Sequence, residues 1–115
     1  MRFVLPLLTA LLFSSQALAA GAMFVMIQSA DAPACGKSGK ITGTVSVKAG
    51  AGGDYETVDT LKAGTVVSVC DGNNGWYGIV YSHSNLNCET KGAMRKGPYA
   101  GPCRTGWVPT SAVSG

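Results

Sequence analysis

The stretch CDGNNGWYGIVY, Cys70 to Tyr81, decides how the chain folds. Asn74-Gly75 stands between two runs of β-type residues, and both residues tolerate the positive φ that a tight hairpin turn demands. A hairpin is expected, with its first strand in LKAGTVVSVCD (61–71) and its second in WYGIVY (76–81). A turn at Ala63-Gly64 leads into the first strand. Strand alternation then sends Val67 and Val69 inward and Cys70 to the opposite side. The second strand is apolar on both faces, with Tyr77, Ile79 and Tyr81 against Trp76 and Val80. A strand wetted on one side does not read that way. Either both faces are covered, or one offers Trp76 to a ligand.

The same grammar extends outward in both directions. Beyond the first twenty residues no helix-period segment occurs, and short β-type runs alternate with Gly, Asn, Asp and Pro clusters. MFVMI (23–27) predicts a first strand, and SADAPACGKSGK (29–40) reads as loop. TVSVK (44–48) alternates with Val45 and Val47 on one face, AGAGGDY (49–55) is a flexible loop, and TVDTL (57–61) holds Val58 and Leu61. SHSNLNCETKGAMRKGPYAGPC (82–103) is a long insertion, and TGWVP with SAV supplies the last strand material. Five or six short strands with tight turns predict an all-β fold, a small closed or nearly closed barrel.

The N-terminus, MRFVLPLLTALLFSSQALAA, places Arg2 before an apolar run from Phe3 to Phe13 and ends on Ala17-Leu18-Ala19. That is the layout of a secretory signal peptide over residues 1–19, cleaved after Ala19 or Ala20. Ser14, Ser15 and Gln16 stop the run short of the ~20 apolar residues that a membrane span needs. No cysteine follows the cleavage site to carry a lipid, so no membrane anchor is expected after cleavage. Residues 20–41 form an N-terminal segment with an extra strand, and residues 42–115 one small barrel interrupted by the insertion at 82–104. The expected location is periplasmic or secreted, as a monomer.

Without Arg2, eight Lys and Arg face six Asp and Glu, a net charge of +2. Nucleic acid calls for a clustered basic surface, and none is expected as a partner here. The one local cluster, Lys91, Arg95, Lys96 and Arg104, reads as a solvated loop with weak attraction for an anionic envelope polymer. Four cysteines in a small exported chain read as two disulfides. A zinc site would want close C-x-x-C pairs or more than one histidine, so no metal or other cofactor is expected. Three pairings are possible. Cys88 and Cys103 bracket the glycine-rich insertion, which favours that bond and leaves Cys35 with Cys70. Closing about 15 residues contributes ~3 kcal/mol in the chain-entropy picture.

The segment TVSVKAGAGGDYETVDTLKAGTVVSV, followed by NGWYGIV and then TGWVPTSAV, resembles the bacterial SH3-like (SH3b) domain family. The family pattern runs V-x-V-R-x-G-P-G-x-x-Y, then L-x-x-G-T-x-V-x-V, N-G-W-Y-x-V and a closing G-W-V. The likeness covers Thr42 to Val113 apart from the insertion. It implies a small five-stranded barrel and a non-catalytic targeting or binding role. Lys48 replaces the usual Arg, and Ala51 a common Pro. GWVPTSAV is also similar to the closing segment of eukaryotic SH3 domains, where an aromatic three residues after the proline lines the peptide groove. Ala112 stands there, so one wall of an ordinary proline-rich peptide groove is missing.

Candidate chemistry is sparse. His83 is the only histidine; its neighbours Ser82 and Ser84 point to the opposite face of an extended chain, and no acid lies close in sequence to orient the ring. Asp54, Glu56 and Asp59 form a short acidic run that reads as a solvated loop rather than a glycosidase pair. GAGG lacks the lysine of a phosphate cradle. The aromatics Tyr55, Trp76, Trp107 and Tyr99 are the better candidates, since rigid amphipathic rings suit peptide or sugar faces. The likeness places Tyr55 and Trp76 beside a common groove, with Asp54 and Glu56 as acceptors for a ligand amine. The leading expectation is an exported module binding cell-wall peptide, a peptidoglycan-type ligand or an envelope protein. The alternative is an inhibitor acting through the disulfide-closed loop 89–102, displaying Met94, Arg95 and Tyr99. A small hydrolase built on His83 or the Asp54–Glu56 pair comes last.

Overall fold

The computed structural model describes residues 23–115, so the signal-peptide reading of residues 1–19 lies outside the described residues. The chain is all-β: β1 (Met26–Ile27), β2 (Lys37–Ile41), β3 (Val45–Lys48), β4 (Thr57–Leu61), β5 (Val66–Asn73), β6 (Trp76–Tyr81), β7 (Gly97–Pro98), β8 (Arg104–Pro109) and β9 (Val113–Ser114). A single 3-10 turn, Thr110–Ala112, separates the last two. All pairings are antiparallel. One sheet has seven strands in the order β4-β3-β8-β6-β5-β2-β9, and β1 with β7 makes a separate ribbon. The large sheet ends on β4 and β9, and no closed barrel is found among the described residues.

The hairpin forms as its sequence demands. Asn74 and Gly75 take φ of 46° and 87°, and Asn73 pairs with Trp76 around them. Glycine and asparagine reach this region at least cost, which is why the turn falls here. Along β5 the register steps from Val69↔Ile79 to Asp71↔Gly78, leaving Cys70 as an extra residue. This bulge turns Val69 to one side of the sheet, while Cys70 and Asp71 serve the other.

Both sides are covered. Ile41, Val47, Leu61, Val67, Val69, Ile79, Tyr81, Val108 and Ala112 make the inner core. On the opposite face Cys70, Val80 and Trp107 pack beneath Val25, Ile27, Ala34 and Cys35. The cover is the N-terminal segment joined to the insertion. Tyr99 N–H donates to the Val25 carbonyl, Ala34 N–H to Gly92 and Cys35 N–H to Thr90. Asp71 accepts from Met26 N–H and Gln28 Nε2, each at 3.0 Å, which fastens the strap to β5. Both expected disulfides form, Cys35–Cys70 tying cover to sheet and Cys88–Cys103 closing the insertion. They are compatible with an oxidising, extracellular environment. The doubly apolar β6 is thus explained by two hydrophobic layers.

Two local expectations change. SADAPACGKSGK was expected to be loop, yet its end, Lys37–Ile41, is a full strand between β5 and β9. Its Gly39 lets the C-terminal residues lie against the backbone, since a Cβ there would collide with the Ser114 carbonyl and Val113. The first strand shrinks from MFVMI to Met26–Ile27, and it leaves the main sheet for the ribbon. Ala112, which stands where the groove aromatic would be, is buried in the inner core. Among the described residues no helix is long and apolar enough to cross a membrane.

Candidate functional site

The residues expected to form a groove have diverse fates. Trp107, a groove candidate in the sequence, is fully buried in the outer core, and its Nε1 donates to the Met23 carbonyl at 2.9 Å. The reason is its position on β8 opposite Gly78. A Cβ at Gly78 would meet the Trp107 ring at 3.1 Å, so the missing side chain makes the bed on which the indole lies. Trp76 is half-buried against this same layer, with Ala51. The Tyr55 ring lies over Gly50 and Gly52 and fills the inside of the loop it terminates. Asp54 and Glu56 flank it, both exposed. Tyr99 is spent on structure: its hydroxyl donates to the Cys88 carbonyl and accepts from Cys103 N–H, bracing the second disulfide. Met94 also turns toward the outer core, so of the three residues expected on display only Arg95 is exposed.

Asp59 organises a cluster that the sequence did not reveal. Asp59 sits on β4, within the TVDTL run that reads as strand, and its side chain is only 17% exposed. Its Oδ2 accepts from the Tyr81 hydroxyl at 2.8 Å and lies 2.7 Å from His83 Nε2 and 3.7 Å from Arg104. Its Oδ1 accepts from Thr60 N–H. Burial works to raise the carboxyl, but the bonds from His83, Tyr81 and Thr60 outweigh it and bring the pKa down to about 2. Burial first, and then the Asp59 carboxylate, push the Tyr81 hydroxyl well above its ordinary value. No acid lies near His83 in sequence, but the fold brings Asp59 to the ring from 24 residues away. Orientation is not activation. The Ser82 and Ser84 hydroxyls face each other at 3.4 Å, and Ser82 also accepts from the Ser84 and Leu86 amides. The cluster welds the end of β6 to the β4 edge.

A cleft of about 360 Å³ opens where β5, β6 and the insertion meet. Its walls include Val66 and Leu86, 63% and 52% exposed, and its polar lining includes Ser82, Asn85 and Asn87. Thr90, buried beneath it, bonds Ser68 across the floor at 2.8 Å, and Lys91 stands at the margin. Insertion residues supply more than half the site, and they carry no strand pattern that would point to it. The exposed apolar Leu86 beside paired asparagines was the available signal. Among the described residues no group of three or more His, Cys, Asp or Glu is placed to hold a metal ion. Comparison with family models, with curated proteins and with solved structures finds no match to this chain.

Proposed function

We propose that the chain is an exported, non-catalytic binding module of SH3-like type that takes an extended peptide in the cleft between β5, β6 and the insertion. The ligand class is a cell-wall stem peptide or a segment of an envelope protein. The cleft itself carries this reading: two solvent-exposed aliphatic walls flank a floor of hydroxyl and amide groups, with one lysine at the margin. Aliphatic walls suit small apolar side chains such as alanine, amides suit peptide groups, and Lys91 suits a terminal carboxylate. The SH3-like assignment rests on the ordered motifs from Thr42 to Val113, which here supply β3, β4, β5, β6, β8 and β9.

The test is a titration of isotope-labelled, oxidised protein with soluble peptidoglycan fragments, alongside a pull-down on sacculi and envelope extract. Amide shifts clustered on Val66, Leu86, Asn87 and Lys91, with about tenfold weaker binding for Leu86→Ser, support the cleft. Shifts confined to the Tyr55 loop and Trp76 move the site to the originally expected groove and refute it. Turnover of any fragment, abolished by His83→Ala, refutes the non-catalytic reading.

A further inference from the structure

The β1–β7 ribbon has two faces of opposite character. Met26 pairs with Pro98 and Ile27 with Gly97, and the Tyr99 N–H bond to Val25 carries the pairing toward the start of the chain. Alternation sends Val25 and Ile27 into the outer core, where Tyr99 packs as well. It leaves Phe24, Met26, Pro98 and Ala100 on the solvent side, with Phe24 71% exposed. Side chains paired across two strands share a face, so these four make one apolar stripe. The same alternation continues the stripe to exposed Lys96, next to exposed Arg95. Neither cation enters an ion pair among the described residues, where both ion pairs use Asp59. Asp71, on β5 beneath the ribbon, is already committed to Met26, Gln28 and Gly72, and the other acids of the cover, Asp31 and Glu89, lie off the stripe's alternation.

We propose that this outer face is a peripheral docking surface for an anionic lipid bilayer. The charge is complementary: Lys96 and Arg95 sit at the end of an apolar stripe, as they must to meet phosphates while the stripe enters the headgroup boundary. The clefts beside Leu86, beside Gln28 and Tyr77, and at the β2–β9 edge are lined by residues other than Phe24, Met26, Pro98 and Ala100. A protein partner needs a pocket or a complementary relief for its anchors, whereas a bilayer accepts a protruding ring and thioether without one. The surface lies apart from the peptide cleft, so a bilayer-bound module keeps Val66 and Leu86 available.

The experiment is cosedimentation of the oxidised chain starting at Ala20, which retains every described residue, with two kinds of vesicle. One contains phosphatidylglycerol mixed with phosphatidylcholine, the other phosphatidylcholine alone. Salt-sensitive binding to the anionic vesicles is expected, reduced about tenfold by Phe24→Ser. Arg95→Glu with Lys96→Glu should reduce it by a similar factor. Urea midpoints of these variants stay near the parent, since all three side chains are exposed. Leu86→Ser leaves vesicle binding intact, which separates this surface from the cleft. Absence of binding to anionic vesicles, or binding indifferent to both variants, overturns the proposal. So does capture of an envelope protein through Phe24 when vesicles do not bind.

Discussion

Removing the Cys35–Cys70 bridge by the double change Cys35→Ala, Cys70→Ala tests the two-layer architecture directly. The bond closes 35 residues, and the chain-entropy relation then gives about 4 kcal/mol lost at 25 °C. The Cys88–Cys103 bridge closes 15, so its loss costs about 0.7 kcal/mol less by the same relation. Loop length is only part of the difference. Cys35 and Cys70 are both buried in the outer core, and their bond fastens the strap that holds Val25 and Ile27 over Trp107. Once it is cut, the cover is held by Asp71 and by backbone bonds to the insertion. The assay is urea denaturation followed by fluorescence in a Trp76→Phe background, where Trp107 is the only indole. The expected result is a midpoint lower than that of the Cys88→Ala, Cys103→Ala protein. Trp107 emission should also shift to the red and become open to acrylamide before global unfolding. A variant within about 1 kcal/mol of the parent, with Trp107 still protected, would refute the idea that this bridge holds the outer layer.

Three further perturbations have definite outcomes. Trp107→Ala empties the outer core and strands the Met23 carbonyl; a loss of about 3–5 kcal/mol is expected in the same assay. Gly75→Ala forces a side chain to φ of 87° in the hairpin turn and should cost about 1–2 kcal/mol, again read from the urea midpoint. Asp59 has a folded pKa of about 2, below its unfolded value of 3.8, so its contribution is complete above pH 4 and is lost as pH falls through 2. After discounting for solvent screening this amounts to about 1 kcal/mol. Stability of Asp59→Asn measured from pH 5 to pH 2 should therefore fall less steeply than that of the parent.

Features set by neighbouring residues were legible in the sequence. Asn74-Gly75 fixes the hairpin because the φ values it permits are a property of those two residues alone. The alternation of Val67, Val69 and Cys70 assigns each to its face, and the spacing of Cys88 and Cys103 around the insertion selects the disulfide pairing that forms. Hydrophobicity on both sides of WYGIVY left two readings, two covering layers or a Trp76 offered to a ligand, and the fold supplies the layers. The polar β2 escaped notice because KSGKI has no apolar alternation and carries a glycine, which reads as a breaker. Its strand exists because β5 and β9 supply pairing on both sides.

Tertiary structure alone decided what the second layer is and where the polar groups meet. The cover comes from residues 23–35 and the insertion, which lie far apart in the chain and share no local pattern. Asp59 and His83, Trp107 and Met23, and Asp71 and Met26 are 24, 84 and 45 residues apart, and only the folded sheet brings them together. The sequence by itself determined an all-strand chain with a defined turn, two bridges and two apolar faces. Which aromatic rings were buried, and where a cleft opened, depended on long-range closure. Backbone preference is local, whereas burial is a property of everything that packs around a residue.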